Sequence, residues 1–331
     1  MSHVEKQPER RVVLTVPTPS GTLYGTLHKG AGEALERTGA TVLLLSAGLR
    51  SRSGPHELYV RLASALCAEG HDVLRLDCGG VGDSQGQLPE RPLLEIDHAV
   101  DRGLFVDDVR AAMDTVIQEC GARRIVLSGL CAGATTALLT AGVDERVDAL
   151  LLMGIATLMT PEPAEAGLTE GAADVYLDGY RRKILRVESW RRLLSLQSNY
   201  RALGTALYLW ARRRALPRGR RVHPRLNTKA LEALQRCAAR GVRMLFVFGD
   251  GDIELGNFNV EFVGKALGRE LQRRVNEALV VIPKADHTFT GQASLERLVC
   301  AVRDWLAAQV AEVGEAATGT EAAARSCATP G

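Results

Sequence analysis

Residues 123–133 read RRIVLSGLCAG, and ATTALLTA (134–141) follows directly. An apolar, β-branched run that ends in Gly129-Leu130-Cys131-Ala132-Gly133 and opens into a helix-forming stretch reads as strand, tight turn, helix. The turn imposes its own residue types. Side chains two positions either side of its apex would collide, so glycine is needed at both. The apex lifts the Cys131 sulfur above the sheet edge and points the Ala132 N–H at whatever the sulfur attacks. The helix N-terminus adds partial positive charge, which favours a thiolate and an oxyanion alike. This is the nucleophile-elbow pattern G-x-S-x-G with cysteine in the nucleophile position.

Strands alternate with helices on both sides of this stretch. TVLLLS (41–46), DVLRLD (72–77), RVDALLLMG (146–154), VRMLFVFGD (242–250) and ALVVIP (278–283) are predicted strands. Their continuous apolar runs are those of strands buried on both faces. Helices are predicted from about His56 to Glu69, over 105–120, over Cys131–Ala141 and over Leu295–Val310. RVVLTVP (11–17) and GTLYGTLH (21–28) predict an N-terminal hairpin. The alternation predicts an α/β protein with a mostly parallel sheet and helices on both faces. Ligands of such sheets bind beyond the strands' carboxyl ends. Residues 156–240 interrupt the alternation with a long arginine-rich stretch, predicted as a helical lid on a core of 11–155 and 241–312. Residues 1–10 are expected to be flexible, and the low-complexity tail 313–331 disordered.

The formal charge of +2 across 331 residues does not mark a nucleic-acid-binding chain. Its longest apolar stretches are too short for a membrane span. Seven cysteines without zinc-type spacing, and polar residues 1–10, lead to the expectation of a cytoplasmic protein with free thiols and no metal or cofactor.

Other segments extend the elbow's pattern. Asp77-x-x-Gly80-x-Gly82-x-Ser84 reads as a turn after a strand, Asp252 closes the strand end FVFGDGD (246–252), and His287 lies in ADHTF (285–289). On these residues the chain resembles the α/β-hydrolase superfamily from about residue 11 to 310. The resemblance implies an eight-stranded, mostly parallel sheet with an inserted lid, and the order nucleophile Cys131, acid Asp252, histidine His287. The spacing G-x-x-D selects Asp252, with Asp250 as the alternative acid. SAGLRSRSGPHELYVRLASAL (46–66), LRLDCGGVGDSQG (74–86) and SGLCAGA (128–134) are similar to hydrolases encoded beside exosortase systems and to hydrolases of polyketide and nonribosomal-peptide assembly lines. Dienelactone hydrolases also place cysteine at the elbow. The usual His-Gly after the third strand is here Ser46-Ala47-Gly48, so the second oxyanion donor, beside Ala132, is expected from the Leu49 or Gly48 N–H.

In the triad logic His287 takes the Cys131 proton and Asp252 orients His287. Attack on a thioester exchanges one thioester for another, whereas attack on an ordinary ester or amide runs uphill. The expected substrate is therefore an acyl thioester. Its carrier would be an acyl or peptidyl carrier protein, or coenzyme A, drawn to YRRK (180–183), WRR (190–192), ARRR (211–214) and RGRR (218–221). Charge runs of this kind are also ordinary solvated faces. Tyr176, Tyr180, Trp190 and Tyr208 could line an acyl pocket or form the lid's own core. A thioesterase leads these readings. An acyltransferase or cyclase, an ester or lactone hydrolase, and a hydrolase-fold protein without catalysis stand as alternatives.

Overall fold

The computed structural model describes residues 10–31, 40–161, 168–183, 200–215 and 222–308. Eight strands form one sheet in the order β1-β2-β4-β3-β5-β6-β7-β8. β1 (Arg10–Thr18) and β2 (Gly21–Lys29) pair antiparallel as a hairpin. β2 also pairs antiparallel with β4 (Asp72–Leu76). The remaining strands, β3 (Thr41–Leu45), β5 (Ile125–Leu130), β6 (Val147–Met153), β7 (Arg243–Gly249) and β8 (Leu279–Ile282), join through parallel ladders.

The apolar strand runs follow from this arrangement. Val42 and Leu44 enter one core layer with α1 (Leu58–Ala68) and a final helix over 292–308. Leu43 and Leu45 enter the opposite layer with α3 (Val106–Cys120), α4 (Ala132–Val143) and α7 (Thr228–Ala239). α2 (Leu93–Asp101) lies between β4 and α3. After β3 the chain crosses to β4, and later returns to the other side of β3 as β5. The loops after β3 and β5 therefore diverge and open a crevice at the strand ends.

Two departures from the expected elements have local causes. The helix expected from His56 begins at Leu58, because Pro55–Glu57 form a short 3-10 turn with His56 (φ 51) and Glu57 (φ 58) in the left-handed region. Residues 253–277 hold α8 (Ile253–Asn257), a π-helix (Phe258–Ala266) and α9 (Arg269–Glu277), none of which the sequence suggests. α8 is too short to show a period, and α9 buries only Val275.

Within 156–240, α5 (Glu170–Lys183) and α6 (Tyr200–Ala215) pack on each other through Ala173, Leu177 and Ala206. α7 instead sends Ala230, Ala233, Leu234 and Cys237 into the main core, so it behaves as a core helix. The start of α5 is tied down at its base. Gly171 meets Gly256 backbone to backbone, Thr169 Oγ1 donates to Asn257 Oδ1 at 2.5 Å, and Lys265 Nζ lies 2.9 Å from both Glu170 and Glu261. Residues 1–9 and the tail 313–331 lie outside the described residues. Among the described residues, no helix is long and apolar enough to cross a membrane.

Candidate active site

Cys131 sits between β5 and α4 with φ 56 and ψ −120, a conformation that L-residues rarely adopt. Strain of this kind amounts to about 1–3 kcal/mol and persists only where the surroundings over-determine it. Here they do. The Cys131 N–H donates to Met153 O at 2.9 Å, and its carbonyl accepts from Ala134 at 3.0 Å and Thr135 at 3.1 Å. A Cβ on Gly129 would stand 2.6 Å from Gly133 O, and one on Gly133 would stand 2.7 Å from both Leu45 O and Ser46 O. Glycine at 129 is thus a steric requirement of the turn itself, and glycine at 133 a requirement of the close approach of the chain leaving β3.

The loops after β7 and β8 bring the other two residues together. Gly251 N donates to Ala285 O at 3.0 Å, and a Cβ on Gly249 would stand 2.6 Å from Asp286 O. This close backbone contact carries Asp252 to His287. Asp252 Oδ2 lies 2.8 Å from His287 Nδ1, and Oδ1 accepts the Glu254 N–H at 2.9 Å, capping α8. Asp252 is buried, while His287 is partly open to solvent. Asp250, the alternative acid, ends β7's ladder by donating its N–H to Ile282 O at 3.0 Å.

The Cys131 side chain lies near enough to His287 to act on the imidazole. Burial by itself would lower the imidazole, but hydrogen bonds and charge from Asp252 and Cys131 outweigh it and raise His287 to about 10. The three side chains therefore form one line from sulfur to imidazole to carboxylate, along the strand ends of β5, β8 and β7.

Two further groups border this line and a third braces the loop after β3, and sequence reasoning did not single them out. Gly154, at the end of β6 with φ 50, packs against the dyad: a Cβ there would stand 3.0 Å from His287 Cε1 and 3.2 Å from Asp252 Oδ2. A glycine ending a strand is too common a signal to mark that role. Glu254 is held by Asn257 Nδ2 at 3.3 Å, and burial raises its carboxyl while the Asp252 charge adds to the shift. Arg52 ties the loop after β3 to the turn after β4. Its N–H donates to Asp77 Oδ1 at 2.5 Å, its guanidinium binds Asp77 Oδ2, and it lies 2.8 Å from Asp83. Asp77 is fully buried and also accepts the Asp83 N–H at 3.2 Å, so it acts as the turn-stabilising residue of DCGGVGDS. Gly82 has to lack a Cβ because Asp77 fills that space.

Ala132 begins α4, so its N–H has no acceptor within the helix. The loop after β3 runs beside it. A Cβ on Gly48 would lie 3.8 Å from the Ala132 Cβ, and Leu49 packs with Ala132 against Cys78, Val81, Val100 and Phe105. Cys78 is buried, and burial with the nearby Asp108 and Asp77 charges raises its thiol, which makes it an unreactive packing residue. Of the aromatic residues expected near substrate, Tyr176 packs with the α5–α6 cluster and Tyr208 is exposed at 63%. The Tyr180 side chain and Trp190 lie outside the described residues, as do the arginine side chains of all four basic runs.

Among curated proteins none matches the chain. Solved structures share its fold at low identity. An esterase from Pyrococcus furiosus is 16% identical with a TM-score of 0.52, over 90% of this chain and 91% of that one. Est1E from Butyrivibrio proteoclasticus, solved with ferulic acid bound, is 17% identical with a TM-score of 0.52, over 90% of this chain and 99% of that one. A dienelactone hydrolase from Anabaena variabilis is 15% identical with a TM-score of 0.50, over 90% and 97%. The alpha/beta hydrolase fold family matches residues 40–251, a span that carries the elbow and ends one residue before Asp252. With this match, the eight-stranded sheet and the strained turn at Cys131, the chain belongs to the alpha/beta hydrolase fold family.

Proposed function

We propose that the chain is a cysteine-dependent acyl hydrolase, a thioesterase acting on an acyl group held by a carrier protein or coenzyme A in a biosynthetic pathway. The observation that carries the reading is the His287–Asp252 contact of 2.8 Å beside Cys131, which stands in the strained turn between β5 and α4. An imidazole held by a carboxylate is the base that takes a proton from a neighbouring thiol nucleophile.

The steps follow from the groups present. The Cys131 sulfur attacks the thioester carbonyl. The oxyanion is received by the Ala132 N–H and by a second N–H from Gly48 or Leu49. Collapse expels the substrate thiolate, which takes the proton from His287 Nε2. His287, held by Asp252 through Nδ1, then removes a proton from water as the water attacks the acyl-cysteine. Collapse of this second adduct releases the carboxylic acid and restores Cys131. An amine, alcohol or thiol in place of water would make the same site an acyltransferase or cyclase. The basic runs of 180–221 supply the charge that would attract phosphates or an acidic carrier protein.

The test is intact-mass measurement after incubation with simple acyl thioesters, beside Cys131→Ala and His287→Ala. An acyl adduct confined to Cys131, followed by release of free acid, is the expected outcome. Esters and lactones form a second arm, because structures of the same fold carry the names esterase and dienelactone hydrolase. Absence of both adduct and turnover across all three substrate classes would refute the enzymatic reading.

A further inference from the structure

β5 loses its partner on one side just before the elbow. The β3–β5 ladder ends at the pair Leu45 and Gly129, where β3 turns away into the loop that reaches Arg52. The Cys131 N–H points to β6, where it meets Met153 O. The N–H of Leu130, one residue earlier, therefore points to the opposite side, into the gap that β3 has left. A buried N–H without a partner is strongly disfavoured. The gap is filled from α1: the Tyr59 hydroxyl accepts the Leu130 N–H at 2.7 Å.

Tyr59 is itself fixed. It is fully buried, its N–H donates to Ser53 O at 3.1 Å, and its ring lies 3.0 Å from where a Gly54 Cβ would stand. Its hydroxyl lies near enough to Cys131 and Cys78 to respond to the charge of either sulfur. A continuous path thus runs from the loop after β3, through the Tyr59 ring, to the peptide that precedes the strained residue.

We propose that Tyr59 is a positioning residue for Cys131, acting through the Leu130 N–H to hold the elbow in its strained conformation with the sulfur aimed at His287. This rests on the reading of Cys131 as nucleophile. It adds a support outside the sulfur–imidazole–carboxylate line, and it explains why a tyrosine stands on the buried face of α1, where an aliphatic residue would fill the same core.

The test compares the full chain with Tyr59→Phe, which keeps the ring and removes only the acceptor. Alkylation of Cys131 by iodoacetamide is followed by peptide mass from pH 5 to 10, beside thermal melting and steady-state kinetics on an acyl thioester. Tyr59→Phe is expected to melt as a folded protein and to alkylate about tenfold more slowly at neutral pH, with the midpoint of its pH profile moved. It should also lower kcat with KM unchanged. A merely structural role would lower the melting temperature and leave the pH profile in place. A folded Tyr59→Phe with the wild-type alkylation profile overturns the proposal. Should that variant fail to fold, 3,5-difluorotyrosine at position 59 weakens the acceptor without changing the packing, and the same profile decides. A wild-type chain whose Cys131 alkylates readily but turns over no thioester would count against the thioesterase reading and leave the Tyr59 result standing.

Discussion

Gly154 and His287 are in direct contact: a Cβ on Gly154 would stand 3.0 Å from the imidazole Cε1 and 3.1 Å from Nδ1. Gly154 also has φ 50, so any side chain there meets both backbone strain and the ring. Gly154→Ala is therefore expected to push His287 off Asp252. A fall in kcat of more than tenfold should accompany a stability loss of about 1–2 kcal/mol, measured by steady-state kinetics and urea unfolding. Unchanged kinetics in a folded Gly154→Ala chain would show that the dyad tolerates the displacement.

The charge on His287 makes stability depend on pH in one direction. Its folded pKa, about 10, lies above the unfolded value of about 6.5. The folded state therefore holds more protons between the two, and stability falls as pH rises through that window. The contribution is fully present below about pH 6.5 and lost through about pH 10. Urea unfolding of wild type from pH 6 to 10 should show this decline, and His287→Gln should flatten it. Cys131→Ala should flatten it in part, since the sulfur is one of the groups that raises His287.

Arg52 and Asp77 hold the loop after β3 against the turn after β4. Asp77 is fully buried, so removing Arg52 leaves a buried carboxylate with fewer partners. Arg52→Ala is expected to destabilise the chain by about 2–3 kcal/mol in chemical denaturation, below the usual figure for a buried pair because Arg52 is partly solvated. Arg52→Lys should recover only part of this, because Nη1 meets both Asp77 and Asp83 while Nε donates to Thr26 Oγ1 at 3.2 Å, and a lysine carries a single nitrogen. Equal stability of Arg52→Ala and wild type would remove this pair from the account of the loop.

Gly171 and Gly256 allow α5 to touch α8, the helix that Asp252 caps. A Cβ at either position would collide with the other's carbonyl. Gly171→Val should therefore lift the start of α5 and expose 168–183 to limited proteolysis, while the melting transition of the sheet is retained. A cleavage pattern identical to wild type would mean that the contact re-forms around the larger side chain.

The residues that position chemistry divide according to how local their constraint is. Gly129 and Cys131 were legible in sequence because the clash that demands Gly129, with Gly133, lies within five residues; Gly133 was legible only as part of the motif, since its own constraint comes from Leu45 O and Ser46 O at the end of β3. The strands were legible because Val42, Leu43, Leu44 and Leu45 alternate between two core layers, so each must be apolar. α8, the π-helix and α9 were not, because their segments are short or bury few apolar residues. Tyr59, Gly154 and Arg52 act across separations of 71, 133 and 25 residues, on Leu130, His287 and Asp77 respectively. Nothing near them in the chain distinguishes an aromatic on a helix, a glycine after a strand, or an arginine in a loop.

By itself the sequence determined the sheet of strands and helices, the elbow at Cys131, and the order in which an acid and a histidine follow it. Only the tertiary structure decided that His287 Nδ1 meets Asp252 Oδ2 at 2.8 Å, with the Gly154 backbone against both. The reason is physical. Periodicity and turn sterics are imposed by neighbours along the chain. A side-chain contact between loops is imposed by the register in which β6, β7 and β8 lie side by side, and that register exists only once the sheet has formed.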